Sequence, residues 1–349
     1  MDKKHMPMRQ IFLKWAAWTL LLGCMATACT GKQAKPGEGR RIVKSKGLPS
    51  ELLLVVDKAV WESPVADTLR KIVEGPVPGL PQAESYFRVT RILTPYYEQM
   101  YTTMHSKLFV RLDPHERVPM VGVNHDVSAR PQIEVTVKAP DLESLGRFLS
   151  GKALFLRDVI ADAQLQMRAA QLRKHYSKKA YDDLRACMGR TIYALQEIKA
   201  TKKGHRFLWA GTNLNEKDMN VVVYACPWEG GDLPELMEMV ALRDSVMQAN
   251  IPGSNPDQWM ETVREQGMPL VEGRILQRDG HRILETRGLW QMRHGALGGP
   301  FVSQAHIDRL THELVVAEGF VYSPGTDKRD LLRMVEAAIS TLGKEESCQ

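Results

Sequence analysis

The residues best placed to do chemistry are two cysteines near the start of the chain. Cys24 follows Leu-Leu-Gly and Cys29 follows Ala-Thr-Ala. At both, small residues let a peptidase approach the bond and leave the thiol free to take a diacylglyceryl group. Upstream lie Lys3, Lys4, Arg9 and Lys14, then the uncharged run Trp15–Met25. A hydrocarbon core of about 30 Å needs roughly twenty apolar residues in a helix, so this run is too short to span it. A basic start, a short apolar stretch and small residues after it predict a secretory signal over 1–28. Cys24 has the better leucine three residues before it, but its use would cramp the apolar stretch against Lys14. Cys29 is therefore the expected lipid-attachment site, acylated by chains such as palmitate, with Cys24 the alternative.

Elsewhere the residue types that do chemistry do not assemble into motifs. Arg287 and Trp290 could line a groove for an anionic or aromatic ligand, but strand alternation puts residues three apart on opposite faces. Gly298-Gly299-Pro300 lacks the Lys-Ser/Thr of a phosphate loop and is expected to make a tight turn, with Trp290 and Phe301 packing nearby. His306 and His312 are six apart without a HExxH pattern, which argues against zinc. Ser303 sits in no G-x-S-x-G elbow, and no carboxylate pair has surroundings that would separate an acid from a base. No catalytic, cofactor-binding or metal-binding residue is assigned, and no cofactor is expected. Cys187, Cys226 and Cys348 are scattered without metal-site spacing; they argue against a disulfide framework and leave a single pair open.

The elements that would carry these residues follow from composition and periodicity. With 349 residues, 44% hydrophobic and 25% charged, the chain is globular and long enough for one large core or two ordinary ones. Its net charge of +6 is unevenly placed: +3 over 1–28, +5 over 29–50 and −2 over 51–349. The body is near neutral, which removes the electrostatic argument for nucleic acid. Residues 29–50, rich in Gly, Lys and Pro, read as a flexible basic tether of about 25 Å.

The body reads as two similar halves. Leu52–Val56 is a buried strand, with Ser63-Pro64 opening a helix through Val73. Val221–Ala225 is its counterpart, with Asp232–Glu235 as a capping box opening a helix to about Ala249. Trp61-Glu62 and Trp228-Glu229 occupy matching junctions. Each half also ends alike: Ile133–Val137 precedes a helix over Leu142–Leu149, and Glu318–Tyr322 precedes one over Leu331–Leu342, capped by Thr326 or Asp327. Between them, 153 to about 199 carries apolar residues in steps of three and four, an amphipathic helical stripe broken near His175–Ser177. Asn255-Pro256 predicts a helix to about Glu265, and Asp279-Gly280 a hairpin between strands near 271–277 and 282–293. Further strands fall near 300–306 and 313–322. The expected class is α+β, with two β-α-(β)n-α halves (51–152 and 201–349), antiparallel sheets with helices on one face, and a helical connector over 153–200.

Arg287-Gly288-Leu289-Trp290, the run Gly298-Gly299-Pro300-Phe301-Val302-Ser303, and Glu318–Gly325 (EGFVYSPG), together with the lipidation pattern and the central helix, resemble the DUF4837 family. The resemblance is taken to cover the whole mature chain. It implies a lipoprotein of Bacteroidota and no catalytic residues, since the family has no assigned activity. The acidic stretch that marks some surface-displayed lipoproteins of this phylum is missing after Cys29, so the resemblance implies retention on the periplasmic side of the outer membrane.

The expected function is that of a cell-envelope lipoprotein acting as a non-enzymatic binding or adaptor module. Its groove between the halves, or its sheet faces, would hold an envelope protein, a glycan or a peptidoglycan fragment. A periplasmic hydrolase with an unrecognised site and a structural subunit of an envelope complex are the alternatives.

Overall fold

The computed structural model describes residues 43–278 and 280–344. The signal segment, Cys24, Cys29, most of the tether, Asp279 of the hairpin and Cys348 lie outside the described residues. From Val43 onward the chain clusters as one compact unit. No described helix is long and apolar enough to cross a membrane.

The first sheet comprises β1 (Glu51–Val56), β2 (Arg88–Leu93), β3 (Ser106–Leu112), β4 (Met120–His125) and β5 (Ile133–Ala139). Its spatial order is β2-β1-β3-β5-β4. β1 is an interior strand buried on both faces, which is why it reads as the unbroken apolar run LLLVV. Leu52, Leu54 and Val56 face the helix α1 (Val65–Glu74), whereas Leu53 and Val55 face Tyr97, Tyr101 and Met104. β5 alternates buried and half-buried positions, with Ile133, Val135 and Val137 turned to the same core as Leu52.

After β5 the chain enters α2 (Leu142–Leu172), a helix of 31 residues capped by Asp141, whose side chain accepts from the Ser144 amide at 2.8 Å. α2 spans two cores: Leu149, Leu156 and Ile160 pack under the first sheet, and Leu172 packs under the second. The expected break comes at its end. Ser177 caps α3 (Lys178–Met188), which stops at Gly189, a left-handed residue with φ +62° suited to glycine.

The second sheet is a meander of β6 (Ala200–Gly204), β7 (Phe207–Gly211) and β8 (Asp218–Pro227), then, past α4 (Leu236–Asn250), β9 (Met260–Thr262), β10 (Val271–Arg278), β11 (His281–Met292), β12 (Gly298–Asp308) and β13 (Glu313–Tyr322). Its order is β9-β11-β12-β13-β8-β7-β6, with β10 beside β9 on the same edge of β11. α5 (Arg329–Ile339) closes the fold. Successive residues of β8 alternate between two cores: Val221 and Val223 meet α3 and α5, while Val222 and Tyr224 meet α4.

The α+β class holds, and several finer expectations are corrected. The second sheet is antiparallel throughout, but in the first, β1 pairs with β2 and β3, and β3 with β5, in parallel; only β4 is antiparallel. The strands read as counterparts of β1 and β5, β8 and β13, pair directly, whereas β3 separates β1 from β5 in the first sheet. The pairing therefore does not repeat, and the likeness at Trp61-Glu62 and Trp228-Glu229 is one of local spacing. Helices cover both faces of the second sheet, not one.

The helix expected over Leu142–Leu149 is the first quarter of α2, which runs on through residue 152. The helical stripe expected to about 199 ends at Met188. Ile192, Ala194, Leu195 and Ile198 reach the core from largely non-helical chain, because Gly189 has turned it. Residues 255–265 are not helical: Met260 and Thr262 are buried on either side of half-buried Glu261, and this two-residue period places them in β9. The capping box at Asp232 does not form. Its carboxylate meets Arg282 at 3.1 Å, and α4 starts at Leu236 without a side-chain cap.

Candidate functional site

A cavity of about 280 Å³ lies where α2, α5 and the chain entering β1 converge. α2 contributes Asp162, Gln164, Arg168 and Gln171, and α5 contributes Asp330, Arg333 and Glu336. Residues 44–50 form the rim, with Tyr86, His105 and Arg274 completing the wall. A groove between the two halves was the expected place, although none of these residues was singled out.

α5 is held there by the first half. Its N-terminal amides have no cap of their own; instead Glu84 accepts from the Lys328 amide at 2.7 Å and the Arg329 amide at 2.9 Å. Neither Thr326 nor Asp327 caps it, the role the sequence suggested; Thr326 meets Ser323 at 2.5 Å. Asp330 accepts from Ser50 at 2.9 Å and from Arg88 at 2.5 Å. Three helical residues on, Arg333 donates to the Tyr86 carbonyl at 3.2 Å and stacks over its ring at 4.6 Å.

Behind the cavity runs a buried ionic chain. Arg287 donates to Glu285 at 2.9 Å and meets Glu336. Arg274 bridges Glu285 at 2.8 Å and Asp158 of α2 at 3.1 Å. Burial alone would raise the Glu285 carboxyl, yet the flanking Arg287 and Arg274 outweigh it and hold it well below the usual range. Arg287, read from the sequence as a possible groove residue, is thus fully engaged in ion pairs. Trp290 packs on the opposite face against Phe320, at 5.4 Å between ring centroids, as alternation requires.

The cavity's own charges behave differently. Burial lowers the pKa of both Arg168 and Arg333, for which no neighbouring carboxylate fully compensates. Loss of water and the charge of Asp158 push Asp162 up, towards the neutral acid. His105 donates to or accepts from Ser106 at 2.7 Å and meets the Leu48 carbonyl at 3.0 Å. Ser106 is fully buried and also receives Gln164 at 3.0 Å, so this pair braces the wall and offers no accessible nucleophile.

A second cavity of about 490 Å³ opens beside β11, β12 and the end of α5, among Arg190, Arg278, His281 and Arg309. Arg190 there is buried and tied to Asp308 at 2.7 Å. No cluster of three or more histidine, cysteine or acidic side chains suited to a metal occurs among the described residues. Cys187 and Cys226 are free, and burial raises both thiols, which lowers their reactivity. Gly298 and Gly299 open β12 rather than forming a turn. A Cβ on Gly299 would lie 2.0 Å from the Val321 carbonyl oxygen, so glycine is required there by close approach.

The architecture is thus an α+β body with a helix-lined, charged cleft at the junction of its two sheets. Residues 177–341 match the DUF4837 family, described as a domain of unknown function. Residues 45–173 match a different family, DUF8532, also a domain of unknown function. The resemblance seen in the sequence therefore holds where its motifs lie and does not extend over the whole chain; the boundary falls between α2 and α3. Among solved structures, a crystal structure of a protein from Bacteroides thetaiotaomicron VPI-5482 aligns at 8% identity and a TM-score of 0.24. That alignment covers 46% of this chain and 47% of the other, so the chain spans about half the length of the structure it matches. No curated protein matches the sequence.

Proposed function

We propose that this protein is a lipid-tethered binding module of the cell envelope whose working surface is the cleft between α2 and α5. The observation that carries the reading is the cleft itself. It is built from both family segments, its wall is fixed by Glu84, Asp330 and Arg333, and desolvated charged groups are left facing it. Holding charge out of water without full compensation is unfavourable unless a ligand completes the site. The tether rests on the lipidation pattern at Cys29, and the missing acidic stretch after it supports the periplasmic side of the outer membrane as the module's location.

Two measurements test these parts separately. Metabolic labelling with an alkyne palmitate should mark the wild type and the Cys24→Ser variant but not Cys29→Ser. Label lost only in Cys24→Ser would move the anchor, and no label in any chain would remove it. For the cleft, hydrogen exchange should slow at 161–171 and 329–336 when envelope extract is added. Ala161→Trp, which fills the cavity, should abolish that protection. Equal exchange with and without extract would contradict the binding role.

A further inference from the structure

We infer that the cleft takes a carboxylate-bearing ligand, with Arg168 of α2 and Arg333 of α5 as the anion-binding pair. This rests on the binding role proposed above and specifies its chemistry. The cavity is lined by five basic side chains against three carboxylates, and their partners differ sharply. Asp330 is committed to Arg88, Arg329 and Ser50, Glu336 to Arg287, and Arg274 to Glu285 and Asp158.

Arg168 and Arg333 have no such commitment. Arg168 donates to Gln171 at 3.1 Å, and Arg333 donates to Gln164 at 3.4 Å and to the Tyr86 carbonyl. All three acceptors are neutral, so two full positive charges face the cavity with most of their donors unused. A planar guanidinium matches a carboxylate through two parallel N–H···O bonds, and a second guanidinium completes the charge. Lys44 and Lys46 at the rim add positive charge at the entrance. Asp162, the one carboxylate without an ion pair, is pushed towards its neutral form, which weakens its opposition to an anion.

The rest of the lining limits the ligand's body. Leu48, Pro49, Pro131, Leu165, Met167 and Met334 supply apolar surface, and about 280 Å³ lies near the lower end of the range for small-molecule sites. A short apolar chain ending in a carboxylate fits this lining. It could be a free small acid or the C-terminus of a peptide.

Calorimetry on the full-length protein decides, using hexanoate and N-acetyl-alanyl-alanine as the two sources of carboxylate, with hexanamide, the dipeptide amide and hexylamine as controls. At least one carboxylate should bind about tenfold or more tighter than its amide, the scale of a charge-assisted pair. That preference should fall about tenfold in Arg168→Gln and persist in part in Arg333→Lys, which keeps the charge and the packing on Tyr86. The better of the two acids identifies the source. Amides binding as well as acids, hexylamine preferred over both, or no probe binding would each overturn the inference. Neutral or cationic probes whose binding Ala161→Trp abolishes would overturn it while leaving the binding role intact.

Discussion

Arg243 lies fully buried on α4 beneath the second sheet, its guanidinium held by Glu318 through bonds of 2.9 and 2.7 Å and stacked 3.9 Å from the centre of the Phe301 ring. A third donor reaches Thr262 at 3.0 Å. The pair is satisfied as a unit, so removing one member leaves an uncompensated charge in the core. Arg243→Met should destabilise the fold by about 3–5 kcal/mol in denaturant unfolding, whereas the double variant with Glu318→Leu should recover a large part of that loss. Asp183 gives a pH test. Hydrogen bonds from Thr201 and Lys179, with Lys203 adding a third, hold its carboxyl at about 2, against 3.8 in the unfolded chain. Because the folded value is the lower one, Asp183 contributes stability above 3.8 that is lost as pH falls through 2. Asp183→Asn should therefore cost about 1–2 kcal/mol near neutrality, after allowance for solvent screening, and nothing measurable at the acid end. Arg243 and Asp183 did not stand out in the sequence, and Glu318, read there only as the start of a strand motif, is 75 positions from Arg243 with nothing local to mark the two as partners.

At the scale of elements, the strands that bury one or both faces were legible from the chain, because β1, β5, β8, β12 and β13 obey simple periodicities. Elements whose ends are decided elsewhere were not. α5 shows this best. Thr326 and Asp327 looked like its caps, but Glu84, 244 residues from Lys328, takes the free amides. Glu84→Ala should loosen the first turn of α5 and lower stability by about 1 kcal/mol, seen as faster exchange at 328–331 with the sheets unchanged. β12 carries the complementary lesson. Gly299→Ala places a methyl against the Val321 carbonyl of the neighbouring strand, and that backbone, with the buried Trp290 indole also near, leaves little room to yield. A loss of about 1–3 kcal/mol is expected, measured as a lower unfolding midpoint with an unchanged denaturant slope.

For the molecule as a whole, the junction matters more than either half. α2 packs under both sheets, α5 is capped and anchored by the first half, and the cleft exists only where they meet. The sequence pointed to a groove between halves through strand-turn-helix likeness, yet the two sheets pair differently and match different families. Its lining could not be read in advance because it is assembled from seven separate stretches of chain between Lys44 and Glu336. The most direct test of the cleft as the working site is a crystal structure of protein purified from its native envelope without added ligand. Continuous density between Arg168 and Arg333, contacting both guanidinium groups, is the expected result. Density in the larger cavity by Arg190 and Arg278, with only water between α2 and α5, would contradict it.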